Sequence, residues 1–226
     1  MASTKWPEMP WHQVVERVQK CVYRVYAGPY AGSSFVLSLG TTKEGEAFAL
    51  HVTAWHVLED IVGTGEDIRL VSADRKVSFD NKSTSIEFMS LGDTVFDTAL
   101  VMVKTGKPLF AETDLLPILP YDAMLARGAE IGWLGFPGLV EPELCFFHGF
   151  VSGYLNDPPT YLVDGVAING VSGGPAFDNR AHLIGLVSAY IPNQVDDETT
   201  LPGLMTLVPI NAIRYAMEHL FGARVL

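Results

Sequence analysis

The sequence predicts an all-β protein made of two six-stranded antiparallel β-barrels, with a short helix before the first and another after the second. Three observations carry that expectation. About six short apolar stretches, separated by turn residues, precede residue 105, the number a small barrel needs. A stretch bearing Pro108, Pro117 and Pro120 then interrupts the pattern. Six further strand signals follow it, and residues 210–221 close with helical periodicity.

Residues 11–25 read as a short helix passing into a strand, because Val14, Val15, Val18 and Val22 recur at near-helical spacing and residues 21–26 alternate. Gly28-Pro29-Tyr30-Ala31-Gly32 marks a turn. Strands are expected at 34–39, 47–53, 68–71, 76–79, 84–89 and 99–103, with a polar hairpin tip at 41–46 and a short helix at 55–61. In the second half they are expected at 130–134, 145–153, 161–163, 175–177, 182–190 and 203–208. Asn211 reads as the N-cap of the last helix. The expected organisation is one domain over residues 1–226, with the first barrel at about 22–105, the second at about 118–208 and the helix at 210–221.

Composition narrows the function. The 226 residues are 48% hydrophobic and 18% charged, enough to bury a sizeable core and too apolar for disorder over most of the length. The net charge of −11 repels phosphate backbones and anionic lipid, which argues against nucleic-acid and membrane-surface partners. Cys21 and Cys145 show no staple or metal spacing and are expected as buried free thiols. The first ten residues lack a basic head and apolar core, and no apolar run approaches the roughly 20 residues that span a bilayer. A cytoplasmic location is the expectation. No metal motif joins the histidines, and no cofactor is implied.

The chemistry concentrates in Gly170-Val171-Ser172-Gly173-Gly174-Pro175. A serine between glycines can hold its hydroxyl exposed on a tight turn, with bare backbone N–H groups nearby. It needs a base and an orienting acid to become nucleophilic. Thr53-Ala54-Trp55-His56-Val57 offers the base. Phe96-Asp97-Thr98-Ala99-Leu100 offers the acid, with Asp93 as its competitor. The same run also satisfies G-x-S-x-G, the elbow of α/β-hydrolase esterases, whose acid and base both follow the serine. Little chain follows Ser172 and β-α alternation is scarce, so the order His, Asp, Ser favours the double barrel.

With those motifs in hand, the chain resembles a trypsin-like serine protease of the chymotrypsin fold, and specifically the HtrA/Deg protease domain. Gly32-Ser33-Ser34-Phe35-Val36-Leu37 is similar to that group's glycine-phenylalanine strand. Gly132-Trp133-Leu134-Gly135-Phe136-Pro137-Gly138 is similar to its glycine-rich strand and turn, and Thr206-Leu207-Val208-Pro209-Ile210 to its ending. The sequence departs from the pattern at Val171, where the HtrA group usually has asparagine, and at Tyr190, where a glycine usually lines the specificity pocket. It shows no PDZ domain after Phe221 and no export signal.

The resemblance implies roles. His56 is the general base, Asp97 orients it, and Ser172 is the nucleophile. The N–H groups of Gly170 and Ser172 form the oxyanion hole. Ser188, Ala189 and Tyr190 line the substrate strand, with Ser188 also bonding Asp97. Val166 is the floor of the specificity pocket. With no acid at that floor, a small or medium apolar residue is expected at P1. His148 has a lesser claim to the pocket than to a place in the sheet. The partner is a protein or peptide substrate, with a regulatory protein as a further expectation, because the N-terminal activation signal is missing. The competing reading is a degenerate protease serving as a scaffold or peptide-binding module.

Overall fold

The computed structural model describes residues 7–64, 66–90, 96–109, 111–194 and 200–221. Helix α1 (Trp11–Val18) buries Val14 and Val18, then tightens into a 3₁₀ turn (Gln19–Cys21) before strand β1. The helical part of the 11–25 segment therefore ends earlier than valine spacing predicts. Val22 already lies in the β region and starts the ladder.

The first half forms β1 (Val22–Ala27), β2 (Tyr30–Thr41), β3 (Ala47–Ala54), β4 (Ile68–Ser72), β5 (Ser78–Asp80), β6 (Ile86–Ser90) and β7 (Thr98–Lys104). They pair antiparallel in the order β5-β4-β1-β2-β3-β7-β6. This nearly closed barrel thus has seven strands rather than six. β5, expected at 76–79, is three residues long and pairs only with β4 among the described strands.

The second half forms β8 (Glu130–Gly135), β9 (Cys145–Asn156), β10 (Pro159–Asp164), β11 (Pro175–Phe177), β12 (Leu183–Gln194) and β13 (Thr200–Pro209). These close a six-stranded barrel in the order β10-β13-β12-β11-β8-β9. Helix α2 (Ile210–Phe221) follows without a gap. The expected helix at 55–61 is only a 3₁₀ turn (Trp55–Val57) continued by tight turns. Asn211 lies inside α2 rather than capping it. Its side-chain amide donates to the carbonyls of Tyr121 and Ala123, tying the connection between the halves to the helix. Cys21 and Cys145 are free thiols, the first buried and the second only half-buried.

Two apolar clusters hold the halves. The larger joins α1, the first barrel and α2 through residues such as Val18, Phe35, Val52, Leu70 and Ile213. The smaller fills the second barrel around Trp133, with Ile131, Val163, Ile184, Met205 and Leu207. No helix among the described residues is long and apolar enough to cross a membrane.

His51 is the odd member of the first core. It is fully buried on β3, edge-on to the Tyr23 ring at 4.7 Å, and neither ring nitrogen has a hydrogen-bond partner among the described residues. Burial pushes its pKa down to about 3. An unfolded histidine takes up a proton near pH 6.5, so between that pH and about 3 the unfolded chain holds a proton that the folded one refuses. Stability is therefore fully kept above about 6.5 and declines as pH falls, by at most about 1.4 kcal/mol per pH unit. Replacing His51→Leu is expected to flatten that decline while leaving stability near neutrality equal or higher. Denaturant midpoints measured across this range check it; the same acid slope in both proteins would contradict it.

Candidate active site

His56 stands where β3 ends. The 3₁₀ turn Trp55–Val57 swings it off the strand, and β7 runs alongside with Ala54 opposite Thr98. Asp97 immediately precedes β7 with φ +38°, a left-handed conformation that aspartate tolerates better than most residues. This kink turns three groups of Asp97 onto the His56 segment. Its carbonyl accepts the Trp55 N–H at 3.1 Å, and its Oδ1 accepts the His56 backbone N–H at 3.0 Å. Its Oδ2 lies 2.9 Å from His56 Nδ1. Asp93 lies outside the described residues.

The carboxylate has one more partner. The Ser188 hydroxyl on β12 donates to Asp97 Oδ2 at 2.6 Å, so the second barrel contributes to an acid that belongs to the first. Electrostatics follow the geometry. The hydrogen bond to Asp97 lifts the His56 pKa above its ordinary value, against the opposing effect of burial. Burial works against ionisation of Asp97, but the bonds and charge from His56, with the Ser188 hydroxyl, outweigh it and hold the carboxyl below its usual range. An imidazole bonded through Nδ1 to a carboxylate keeps its proton there and leaves Nε2 as the acceptor.

The serine loop is carried to the same place by both barrels. The Ser172 carbonyl accepts the Ser33 N–H of β2 at 2.8 Å. The Gly173 N–H donates to the Val187 carbonyl at 2.7 Å, one residue before Ser188. A Cβ on Gly173, whose φ is +85°, would overlap the Ser33 carbonyl and Thr53 Oγ1, three positions before His56. A Cβ on Gly32 would sit 2.7 Å from Val57 and 3.2 Å from the Ser172 carbonyl oxygen. Only glycines allow the serine turn to close down beside the histidine turn. The Ser172 hydroxyl makes no hydrogen bond among the described residues; serine–histidine bonds often tighten only once substrate is bound.

Upstream of the serine, the Val171 N–H bonds the Ile168 carbonyl at 2.9 Å and Gly170 has φ +94°. A closing i to i+3 bond with positive φ at the third residue is the type II turn, which asks for glycine there. The Asn169 carbonyl accepts the Gly138 N–H at 2.8 Å. In a planar trans amide the N–H points opposite the carbonyl, so this bond turns the Gly170 N–H away from Gly138. The Val171 carbonyl is likewise held by the Gly174 N–H at 3.0 Å, which orients the Ser172 N–H. Neither N–H has a partner among the described residues. Val171 itself is fully buried in the second core. The unusual residue before the serine is a packing peg that pins the loop to the barrel.

The family model described as a trypsin-like peptidase domain matches residues 32–186. The chain belongs to the trypsin-like peptidase family. The double-barrel fold agrees with that membership. A serine endoprotease from Yersinia pestis superposes with a TM-score of 0.69 at 18% identity, covering 95% of this chain and 67% of that one. Rv3671c from M. tuberculosis H37Rv superposes in two inactive forms. One is a serine-to-alanine mutant, with TM-score 0.65, 15% identity and coverage of 94% and 92%. The other has TM-score 0.63, 16% identity and coverage of 92% and 92%. No curated protein sequence matches the chain.

For a trypsin-like chain, the remaining predicted residues sit as follows. Ser188, Ala189 and Tyr190 lie on β12 at an irregularity in its pairing with β13. There the Thr206 hydroxyl takes the Ala189 N–H at 3.0 Å and donates to the Ala189 carbonyl at 3.1 Å. The Tyr190 hydroxyl accepts the Gly203 N–H, which folds the ring across the β12–β13 pair. Val166 is 52% exposed, and its carbonyl accepts the Trp133 indole N–H at 3.3 Å. His148 projects from β9 near Glu130 at 3.7 Å. Gly138 and Thr206 were not readable as site residues, because each acts on a segment more than 15 positions away in sequence.

Proposed function

We propose that this chain is a serine endopeptidase working through His56, Asp97 and Ser172. His56 Nε2 takes the proton of the Ser172 hydroxyl as Oγ attacks the scissile carbonyl. The oxyanion that forms accepts the N–H groups of Gly170 and Ser172. Each such donor contributes about 3 kcal/mol to the transition state in comparable sites. His56 then gives its proton to the departing amine, leaving an acyl group on Ser172. Water, deprotonated by the same imidazole, releases it. Asp97 holds the Nδ1 tautomer and stabilises the imidazolium without itself taking the proton.

The observation that carries this reading is the bonded set His56–Asp97–Ser188 beside a glycine turn whose carbonyls are tied back, leaving its N–H groups free to bind an oxyanion. The loop is held by the chain's own groups, so the isolated chain is expected to hydrolyse unstructured protein without an activating partner.

The pocket residues that the family resemblance assigns, Val166, Ser188, Ala189 and Tyr190, carry no charge. Cleavage is therefore expected after small or medium apolar residues such as Val, Ala or Leu. A peptide library diverse at P1, read by mass spectrometry of the products, tests this. Dominant cleavage after Arg or Lys would overturn the specificity. No cleavage of any member or of casein would favour the peptide-binding scaffold.

A further inference from the structure

Ser33 is fully buried on β2, opposite Arg24 of β1. Its hydroxyl uses both of its capacities on the second barrel. The Phe136 N–H donates to Ser33 Oγ at 3.0 Å, so the hydroxyl proton is left for the Gly170 carbonyl, 2.8 Å away. Its backbone N–H holds the Ser172 carbonyl at 2.8 Å, and its own carbonyl takes the Thr53 hydroxyl at 2.7 Å. One residue thus grips the carbonyls on both sides of Val171.

Together with the bonds already described, every carbonyl from Ile168 to Ser172 is occupied: by Val171, Gly138, Ser33 Oγ, Gly174 and Ser33 N–H in turn. The Gly138 bond fixes the Asn169–Gly170 amide plane. The Ser33 hydroxyl fixes the next plane, Gly170–Val171. Between them stands a glycine, whose backbone rotates freely in either hand. With the hydroxyl removed, the Gly170 carbonyl and the Phe136 N–H both lose their partner, and Gly170 is left anchored on one side only, through the Asn169 carbonyl.

We propose that the Ser33 hydroxyl is a positioning group for the oxyanion-binding turn, anchoring the Gly170 carbonyl from the neighbouring barrel so that the glycine carrying the donor N–H is clamped on both sides, by Gly138 before it and by Ser33 after it. The inference rests on the endopeptidase reading above. Ser33 touches no reacting atom; it acts through Gly170.

The test is Ser33→Ala. A misdirected donor is expected to lower kcat by about 10- to 100-fold while KM changes by less than about threefold. The acid midpoint of the pH profile, which belongs to the His56–Asp97 pair, stays where it is. Hydrogen–deuterium exchange of the peptide containing residues 168–174 is expected to accelerate, with that of β8 unchanged. A kcat within about twofold of the parent chain, a loss carried entirely by KM, or unchanged exchange in that peptide would overturn the proposal. Should Ser33→Ala fail to fold, Ser33→Cys, close in volume but a weaker donor, is expected to show the same kcat-only loss at smaller size, and its absence counts equally against. If the parent chain neither hydrolyses peptides nor is labelled at Ser172 by a fluorophosphonate, the endopeptidase reading fails instead, and the exchange measurement alone decides whether Ser33 holds the turn.

Discussion

Replacing Ser172→Ala is expected to cut kcat for peptide hydrolysis by about a million-fold, and His56→Ala by a similar amount. The two act on one event, since the hydroxyl is inert without the imidazole and the imidazole has no proton to take without the hydroxyl. The double variant should therefore lose little beyond either single one, a non-additivity that unrelated defects do not show. Substrate binding along β12 is expected to persist, because Ser188, Ala189 and Tyr190 are untouched. A small residue of catalysis, about 10³ over water, is expected from the backbone donors alone. Initial rates at saturating peptide check the magnitude. Full activity in His56→Ala would point instead to a base following the serine, as an α/β-hydrolase esterase requires.

The second large effect is at Asp97. Asp97→Asn is expected to lower kcat by about 10⁴ near neutrality. Both carboxylate oxygens lie within 3.0 Å of His56 Nδ1, and they also accept the His56 N–H and the Ser188 hydroxyl. An amide presents an oxygen to one side only, and its NH₂ group turned toward Nδ1 selects the tautomer whose Nε2 carries the proton. That nitrogen cannot accept from Ser172. The pH profile adds a signed prediction. In the parent chain Asp97 raises the His56 pKa, so kcat/KM falls with decreasing pH through a midpoint above the ordinary histidine value. Without the carboxylate the imidazolium loses its partner and the midpoint moves to lower pH. A midpoint unmoved by Asp97→Asn would mean that this carboxylate does not face the working base.

Much of this architecture was readable in the order of residues, and the reasons are specific. Strands such as β3 and β8 announce themselves through apolar runs bounded by turn residues, and α2 through its period and its junction with β13. The serine, histidine and aspartate motifs were readable because each is a short local pattern. What escaped is long-range. Ser33 looks like any small strand residue, and its hydroxyl gains meaning only when β2 meets a turn 137 positions away. Asn211 has the composition of a cap, yet it sits one residue inside α2 and spends its amide on the loop at 121–123. Val171 departs from the family pattern, and only the packed second core explains it as a peg. The helix expected at 55–61 is a 3₁₀ turn continued by tight turns, and Asp97, distant in sequence, takes the Trp55 and His56 N–H groups at its start. Those bonds hold the imidazole beside the carboxylate.

The central claim is that one hydroxyl in this chain is activated by one imidazole from the opposite barrel. Treatment of the folded chain with a fluorophosphonate at mildly alkaline pH, followed by mass-spectrometric location of the adduct, tests it most directly. The account predicts a single adduct on Ser172 that forms quickly in the parent chain and is lost in His56→Ala. An adduct on another residue, none at all, or one on Ser172 that forms equally fast without His56 would contradict it.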